Sequence, residues 1–252
     1  MNVKKGIALG WSHSRKALQL VTPDGKRIEI PQSEFSVHDF TAPKGLPFEV
    51  AWLMGKEVYY VELENGIYSR KRVMQKTISN MVVGEIFEAT VIKFCKKGLF
   101  VEYNNCFFYC SIFEVSNSFV KDVSDHFYIG QKVDVRLLDK GSKYKYPEVS
   151  YKQAFPDCLD NYHSGDYCVC KVSNLSDHLG AYFMEVSPAV PGIMDFENCP
   201  KWSLPLHYGD EVLCVVKNVN SKGVRLIGLR VSRRANPVSY THLRAHETDQ
   251  YL

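Results

Sequence analysis

Eight cysteines are the residues of this 252-residue chain whose chemistry is easiest to test from spacing alone. A structural zinc site usually shows two pairs of ligands, each pair separated by two to four residues. Cys106 and Cys110 form one such pair, whereas Cys168 and Cys170 are separated by a single residue in a strand-like run. Even spacing along a strand places both side chains on one face, so shared burial explains both pairs. Because no signal peptide is recognisable, the sequence predicts free thiols in a reducing cytoplasm, and neither a metal nor another cofactor.

Motifs of enzymatic chemistry are missing from the sequence. We find no Gly-rich phosphate loop, no nucleophile elbow and no paired-histidine metal motif, and the eight histidines are scattered. No run approaches the roughly 18 apolar residues that a membrane-spanning helix requires. The sequence therefore predicts a protein that is neither an enzyme nor a membrane protein.

Short alternating runs between turn signals indicate strands throughout the chain. Three clear examples are residues 16–21, 57–63 and 132–138, and turns are marked by Pro23-Asp24-Gly25 and Ser221-Lys222-Gly223. No long amphipathic helical pattern is apparent, although residues 119–126 are compatible with one or two helical turns. The prediction is an all-β chain with little helix.

Two blocks of the sequence repeat the same order of features. Gly84 opens one block and Gly165 the other, and each glycine is followed by an acidic residue and an alternating strand. A Gly-x-aromatic entry into a second strand follows, and a later strand begins at Gly130 or Gly209. Roughly five short strands with a glycine in the first hairpin are typical of a small closed barrel. Each block is therefore predicted to be one domain.

Both blocks resemble the S1 RNA-binding domain, a five-stranded OB-fold barrel named after a protein of the bacterial small ribosomal subunit. Ser150-Tyr151-Lys152 matches the closing motif of that family, and Gly180-Ala181-Tyr182 is typical of it. Residues 30–35 and 68–72 resemble stretches of its leading domains, although the Gly-aromatic hairpin is absent there. The resemblance implies an all-β fold of three tandem five-stranded OB-fold (S1-like) barrels with short helical turns, the first barrel being divergent. These barrels are placed at residues 1–76, 77–157 and 158–235.

The resemblance also implies a binding face, because OB barrels hold single strands by stacking bases on aromatics while basic side chains follow the phosphates. In the middle block, Phe100 keeps a stacking position of the family, Lys97 replaces another, and Tyr109 stands where the family has a binding histidine. Two further sets of residues match positions near the final hairpin. They are Asp139, Lys143 and Lys145 in the middle block, and Arg225 in the third block. The alternation over residues 143–146 places both lysines on one face of a strand.

The third block departs further from the family. Tyr182 is assigned to the second stacking position, and His178, beside Leu179, offers a substitute for the first. Asp195 is assigned to the histidine position, where a carboxylate would repel phosphate.

The distribution of charge separates the blocks. Residues 1–76 carry 12 basic and 8 acidic side chains, whereas residues 77–157 carry 10 of each and residues 158–235 carry 8 of each. The positive excess of the first block has two interpretations, a phosphate-contacting face or a docking module for the ribosome. The remaining residues, 236–252, resemble translated sequencing-adapter read-through, so they are treated as an artefact and His242 and His246 are not assigned to a metal.

Two hypotheses of function follow. The first is a non-catalytic protein that binds single-stranded RNA, with mRNA as the expected ligand, in translation or RNA handling. The second is an adaptor whose barrels dock on the ribosome or on RNA-processing proteins. The sequence does not choose between them.

Overall fold

The computed structural model describes residues 2–38, 48–64, 66–142, 145–200 and 205–232, which form two compact units. The first unit contains the described residues of 1–115 and 122–154. The second contains residues 116–121 and the described residues from 155 onward. Lys143 and the segment 236–252 lie outside the described residues.

The middle block of the sequence forms a closed barrel in the first unit. Its strands pair in the cyclic order β10-β8-β7-β6-β9, so the first three strands form a meander and the fifth strand bridges the third and the fourth. This is the connectivity of an OB-fold. Inward residues alternate as the sequence predicts; in β9, Val133, Val135 and Leu137 point into the barrel. The strands are β6 (Ile86–Cys95), β7 (Gly98–Tyr103), β8 (Cys106–Ser111), β9 (Lys132–Asp139) and β10 (Glu148–Ser150).

The third block forms a second closed barrel with the same cyclic order, β11-β12-β13-β15-β14. Its interior is filled by a cluster that includes Val172, Met184, Met194 and Leu226. The strands are β11 (Tyr167–Ser176), β12 (Ala181–Ser187), β13 (Val190–Asp195), β14 (Glu211–Asn220) and β15 (Gly223–Ser232).

The first block forms a five-stranded sheet in the order β3-β2-β1-β4-β5. This is the order of the two barrels, opened between the third and fifth strands. At the opening, the backbone N–H of Arg70 donates to the carbonyl of Glu34 at 3.0 Å, as that of Tyr151 donates to Glu114 in the middle barrel. The strands are β1 (Lys4–Ser12), β2 (Ala17–Val21), β3 (Arg27–Pro31), β4 (Glu57–Glu62) and β5 (Tyr68–Ser69).

These three five-stranded units, closed or nearly closed, confirm the predicted all-β fold with a divergent first barrel. The strands expected at residues 16–21, 57–63 and 132–138 are β2, β4 and β9. Within the described ranges, two helices accompany them, α1 (Phe48–Leu53) and α2 (Lys71–Asn80), together with short 3₁₀ turns. The turns are Gln32–Glu34, Ile112–Glu114, Val123–Asp125, Lys152–Ala154, Leu159–Asn161 and Phe196–Asn198.

Helix α2 was not predicted, although its sequence carries a signal. Val73, Met74 and Ile78 are buried, and Met81 just after the helix is buried too. A spacing of one, four and five residues is that of one helical face. The helix connects β5 of the first block to β6 of the middle barrel.

All eight cysteines are free, and five of them are buried. Over the described ranges, no three His, Cys, Asp or Glu side chains come together in a way that could hold a metal ion. No helix in that part of the chain is long and apolar enough to cross a membrane.

Candidate nucleic-acid interface

The aromatic pair proposed from the sequence lies on adjacent strands of the middle barrel. Phe100 on β7 is the register partner of Tyr109 on β8, and the two ring centroids are 5.4 Å apart. The Tyr109 hydroxyl donates to the carbonyl of Lys97 in the preceding hairpin at 2.7 Å. Gly98 permits β8 to lie close to the β6–β7 hairpin, because a Cβ on residue 98 would collide with the carbonyl oxygen of Cys110. The structure therefore brings Lys97, Phe100 and Tyr109 together.

This aromatic face is covered by helix α1 of the first block. The ring of Phe48 lies 4.6 Å from that of Phe100, and the ammonium of Lys93 lies 4.7 Å above the Phe48 ring. Tyr146 packs edge-on against Phe100 at 5.0 Å, and its hydroxyl donates to Glu49 of α1 at 2.8 Å. Phe100 and Tyr109 are both half-buried. The ring of Phe100 is consequently engaged within the protein rather than presented to a base.

The two blocks of the first unit share one hydrophobic core. Ile92 and Phe107 of the middle barrel belong to the same buried cluster as Leu18, Ile30 and Phe35 of the first block. Strand β8 is buried on both faces over Cys106–Phe108. One face fills the barrel, and the other receives the first block.

A buried ion pair fastens this junction. Arg70 and Glu49 are both fully buried, and their side chains are 3.5 Å apart. The Arg70 guanidinium also donates to the carbonyls of Phe35 and of Asn105, the latter in the β7–β8 turn. Burial raises the pKa of Glu49, and the positive charge of Arg70 opposes that rise. The pair links α1, the end of β5 and the middle barrel.

Lys145, one of the two lysines assigned near the last hairpin of the middle barrel, is partly neutralised. Lys145 forms ion pairs with Glu148 at 3.0 Å and with Asp139 at 3.2 Å, and the hydrogen bond to Glu148 raises its pKa. Asp139 also accepts the backbone N–H of Gly141, which lowers the pKa of the carboxyl. Asp139 and Lys145 are thus in contact with each other.

The strand register of the third barrel corrects the assignment of Tyr182. Phe100 pairs with Lys93, the first residue after the bulge in β6, and Phe183 pairs with Asn174, the first residue after the bulge in β11. The equivalent of Phe100 is therefore Phe183. Tyr182 points inward with 4% of its surface exposed, and its hydroxyl accepts the N–H of Leu206 at 3.2 Å. A ring buried in the barrel interior is not available to stack on a base.

The same register corrects the position given to Asp195. Ile193 pairs with Phe183 as Tyr109 pairs with Phe100, so Ile193 occupies the position of Tyr109. Asp195 instead ends β13 and precedes a 3₁₀ turn, as Ser111 does in the middle barrel. Its carboxylate accepts a hydrogen bond from Arg225 at 3.1 Å.

Phe183 lies in an open cleft of about 510 Å³ on the third barrel. Asn174, Ile193 and Arg225 line it, and the segment 116–121 adds Phe119, which is about half exposed. Lys222 stands at the β14–β15 turn on the same cleft. His178 lies exposed in the turn between β11 and β12 and is not among the described residues that line the cleft. The cleft combines two aromatic rings, two cations and amide groups, which can hold a base and its phosphate.

Sequence reasoning missed Phe48, Phe119 and Phe183. Phe183 in β12 was missed because the β11–β12 turn is two residues longer than the β6–β7 turn. Counting from the glycine of the hairpin therefore gives Tyr182, whereas counting from the bulge gives Phe183.

Comparison with known families gives a match in the middle barrel. Residues 82–152 match the S1 RNA binding domain. The matched S1 domain runs from just before β6 to just after β10, and so covers the whole of the barrel that carries Phe100 and Tyr109. The match supports RNA binding. No curated protein matches the chain.

Three solved structures are similar to the chain. One is the solution structure of GSP13 from Bacillus subtilis, with 27% identity and a TM-score of 0.29, covering 31% of this chain. The chain spans 62% of the length of GSP13. A multidomain protein with nucleic acid binding domains from Streptococcus pneumoniae has 11% identity and a TM-score of 0.29, with 98% of this chain and 80% of that one covered. Drosophila Unr CSD456 has 13% identity and a TM-score of 0.24, with 93% and 98% covered. All three TM-scores lie below 0.5. The barrel architecture is therefore established by the strand pairing alone.

Proposed function

We propose that this protein binds single-stranded RNA without catalysis and acts in translation or RNA handling. The observation that carries the proposal is the S1 domain of residues 82–152, folded as a closed OB barrel and followed by a second barrel of the same connectivity. The ligand we propose is an unstructured stretch of mRNA in the cytoplasm. We propose that the protein binds this mRNA in the presence of ribosomal or RNA-processing proteins.

We place base stacking on the third barrel, since the equivalent face of the S1 domain is occupied by Phe48. Phe183 would take a base, while Arg225 and Lys222 would contact the adjacent phosphates. The ion pair between Arg225 and Asp195 restrains the arginine and reduces its net charge effect. Affinity for RNA on this barrel is therefore expected to rest more on stacking than on charge.

Replacing Phe183 with alanine is expected to weaken RNA binding by about 1–3 kcal/mol, or roughly five- to 150-fold, which is the usual contribution of one stacked base. Fluorescence titration of a labelled, unstructured RNA at low salt measures this loss. Tyr167→Ala is the matched control, because Tyr167 is an aromatic on the same barrel that is 73% exposed and is not among the described lining residues of the cleft. Equal losses in the two variants would refute stacking on Phe183, and the absence of binding by the unmodified protein would refute the proposed function.

A specific surface favours the adaptor as the second candidate. Tyr167 and Val169 on β11 are 73% and 58% exposed, and Leu213, the register partner of Val169 on β14, is 36% exposed. Contiguous exposed apolar side chains mark surfaces that contact other proteins.

If the protein is an adaptor, Tyr167→Ala should reduce its co-purification with ribosomal or RNA-processing proteins several-fold, because an exposed aromatic anchor is lost. The measurement is quantitative pull-down after nuclease treatment, with Phe183→Ala as the control that should retain its partners. Loss of all partners on nuclease treatment would contradict the adaptor and favour an RNA bridge.

A further inference from the structure

The first unit contains a second cleft, of about 970 Å³, whose described lining includes neither Phe100 nor Tyr109. Its walls come from the β1–β2 turn, the 3₁₀ turn after β3, helix α2 and the turn after β9. None of its described lining residues is acidic. They are Lys16, Gln32, Ser33, Ser36, Val37, His38, Lys71, Gln75, Ile78, Ser79, Lys140 and Ser142.

Three lysines of this cleft differ from other lysines of the first unit. Lys4, Lys5 and Lys132 each pair with a glutamate at 2.6–2.7 Å. Lys16, Lys71 and Lys140 form no ion pair with any acidic residue of the described ranges. The ammonium groups of Lys71 and Lys140 instead donate to backbone carbonyls, those of Ser33 at 3.4 Å and Ser79 at 2.8 Å. Their positive charge is thus not neutralised.

His38 provides an independent indication of a ligand. Only 8% of its surface is exposed, its Nδ1 lies 3.3 Å from the carbonyl oxygen of Ser142, and burial lowers its pKa to about 4. Since a carbonyl only accepts, Nδ1 must carry the proton, and the neutral ring leaves Nε2 as an acceptor. This Nε2 is buried and has no hydrogen-bond partner in the described structure. A donor from a ligand in the cleft would satisfy it.

We propose that this lysine cleft holds the backbone of single-stranded RNA, with Lys16, Lys71 and Lys140 on phosphates and His38 accepting a ribose hydroxyl. It deepens the RNA binding proposed above and rests on it. RNA carries both kinds of group that these side chains can bind. It supplies phosphates for the unpaired ammonium groups and a hydroxyl donor for the unpaired nitrogen of His38. The RNA path in the first unit then avoids the face that α1 covers.

The test compares two triple variants of the full chain that change the net charge equally. One replaces Lys16, Lys71 and Lys140 with alanine, and the other replaces Lys4, Lys5 and Lys132. The probe is a fluorescently labelled oligouridine, titrated at several salt concentrations. Each phosphate contact on a single strand contributes about 0.7 to the slope of log affinity against log salt. We expect the slope to fall in magnitude by about 2 in the cleft variant and to stay unchanged in the other.

Each outcome decides one question. Equal loss of slope in both variants would show a general charge effect and overturn the cleft. No loss in either variant, with the unmodified protein binding RNA, would overturn the cleft and leave the proposed function standing. No binding by the unmodified protein would overturn both. Oligodeoxyuridine, which lacks the 2′-hydroxyl, should bind the unmodified protein more weakly than oligouridine, and equal affinity would refute the assignment of His38. Thermal melting of each variant verifies that it is folded.

Discussion

Replacing Arg70 with alanine is expected to lower the free energy of unfolding by about 3–5 kcal/mol, because one partner of a buried ion pair is removed and the other stays behind. Glu49 would then be an uncompensated carboxylate that is fully buried. The carbonyls of Phe35 and Asn105 would lose their donor as well. Urea denaturation followed by circular dichroism measures the change. A loss of this size equals a large part of the stability of a typical domain.

Arg72→Ala is the matched control for this experiment. Arg72 lies two residues along in helix α2 and is exposed, so its replacement is expected to change stability by no more than about 0.5 kcal/mol. The double variant Arg70→Ala/Glu49→Leu removes both charges, and should recover part of the loss. If Arg70→Ala behaved like Arg72→Ala, the first block would not be fastened to the middle barrel as described.

The pH dependence of the Arg70→Ala loss has a defined sign. Without the guanidinium, burial still raises the pKa of Glu49, and only the hydrogen bonds from Tyr146 and Ser36 oppose it. Its pKa in the folded state therefore rises further above the unfolded value of about 4.3. An acid whose pKa is higher in the folded than in the unfolded state costs no stability below its unfolded pKa, because it is protonated in both states. The free energy of unfolding then falls as the pH rises through the folded pKa. The difference between variant and unmodified protein should therefore shrink as the pH falls towards about 4. His38 also titrates in this range, and the charge of Arg70 helps to lower its pKa. The pKa of His38 therefore rises in the variant, which also reduces the difference at low pH.

Much of the fold was predictable because it repeats. Gly84 and Gly165 open blocks with the same alternation, and the structure places a closed barrel with the same strand order at each. The first block could be included because Ser69-Arg70-Lys71 occupies the place of Ser150-Tyr151-Lys152. Ser69 Oγ accepts the N–H of Arg72 and Ser150 Oγ that of Gln153, at 3.1 and 3.2 Å. The alternating strands and the closing motif each depend on a short stretch of sequence, so they can be recognised without the structure.

The site was less predictable for two physical reasons. The position of Phe183 depends on where the bulge in β11 lies, and a shift of one residue exchanges the inward and outward faces of a strand. The covering of Phe100 depends on Phe48, which lies 52 residues earlier and belongs to another block. Nothing in the spacing of aromatic residues says which surface a distant helix will occupy. A match to a family motif therefore locates a face without showing that it is open.

Replacing Phe100 with alanine distinguishes an open binding face from an internal contact. An open stacking residue would lose about 1–3 kcal/mol of RNA affinity and little stability. The structure predicts the reverse, because the Phe100 ring contacts Phe48 at 4.6 Å, Tyr146 at 5.0 Å and Tyr109 at 5.4 Å. Removal of a half-buried aromatic with these contacts should lower the free energy of unfolding by about 2–3 kcal/mol. RNA affinity at low salt should change less than twofold.

Phe113→Ala is the matched control, because Phe113 belongs to the same barrel and is 79% exposed. Its replacement should alter stability by no more than about 0.5 kcal/mol. Both variants are measured by urea denaturation and by titration with the same labelled RNA. A large loss of RNA affinity in Phe100→Ala without loss of stability would show that α1 leaves the face when RNA binds. In that event the S1 domain, and not only the third barrel, would contact the bases.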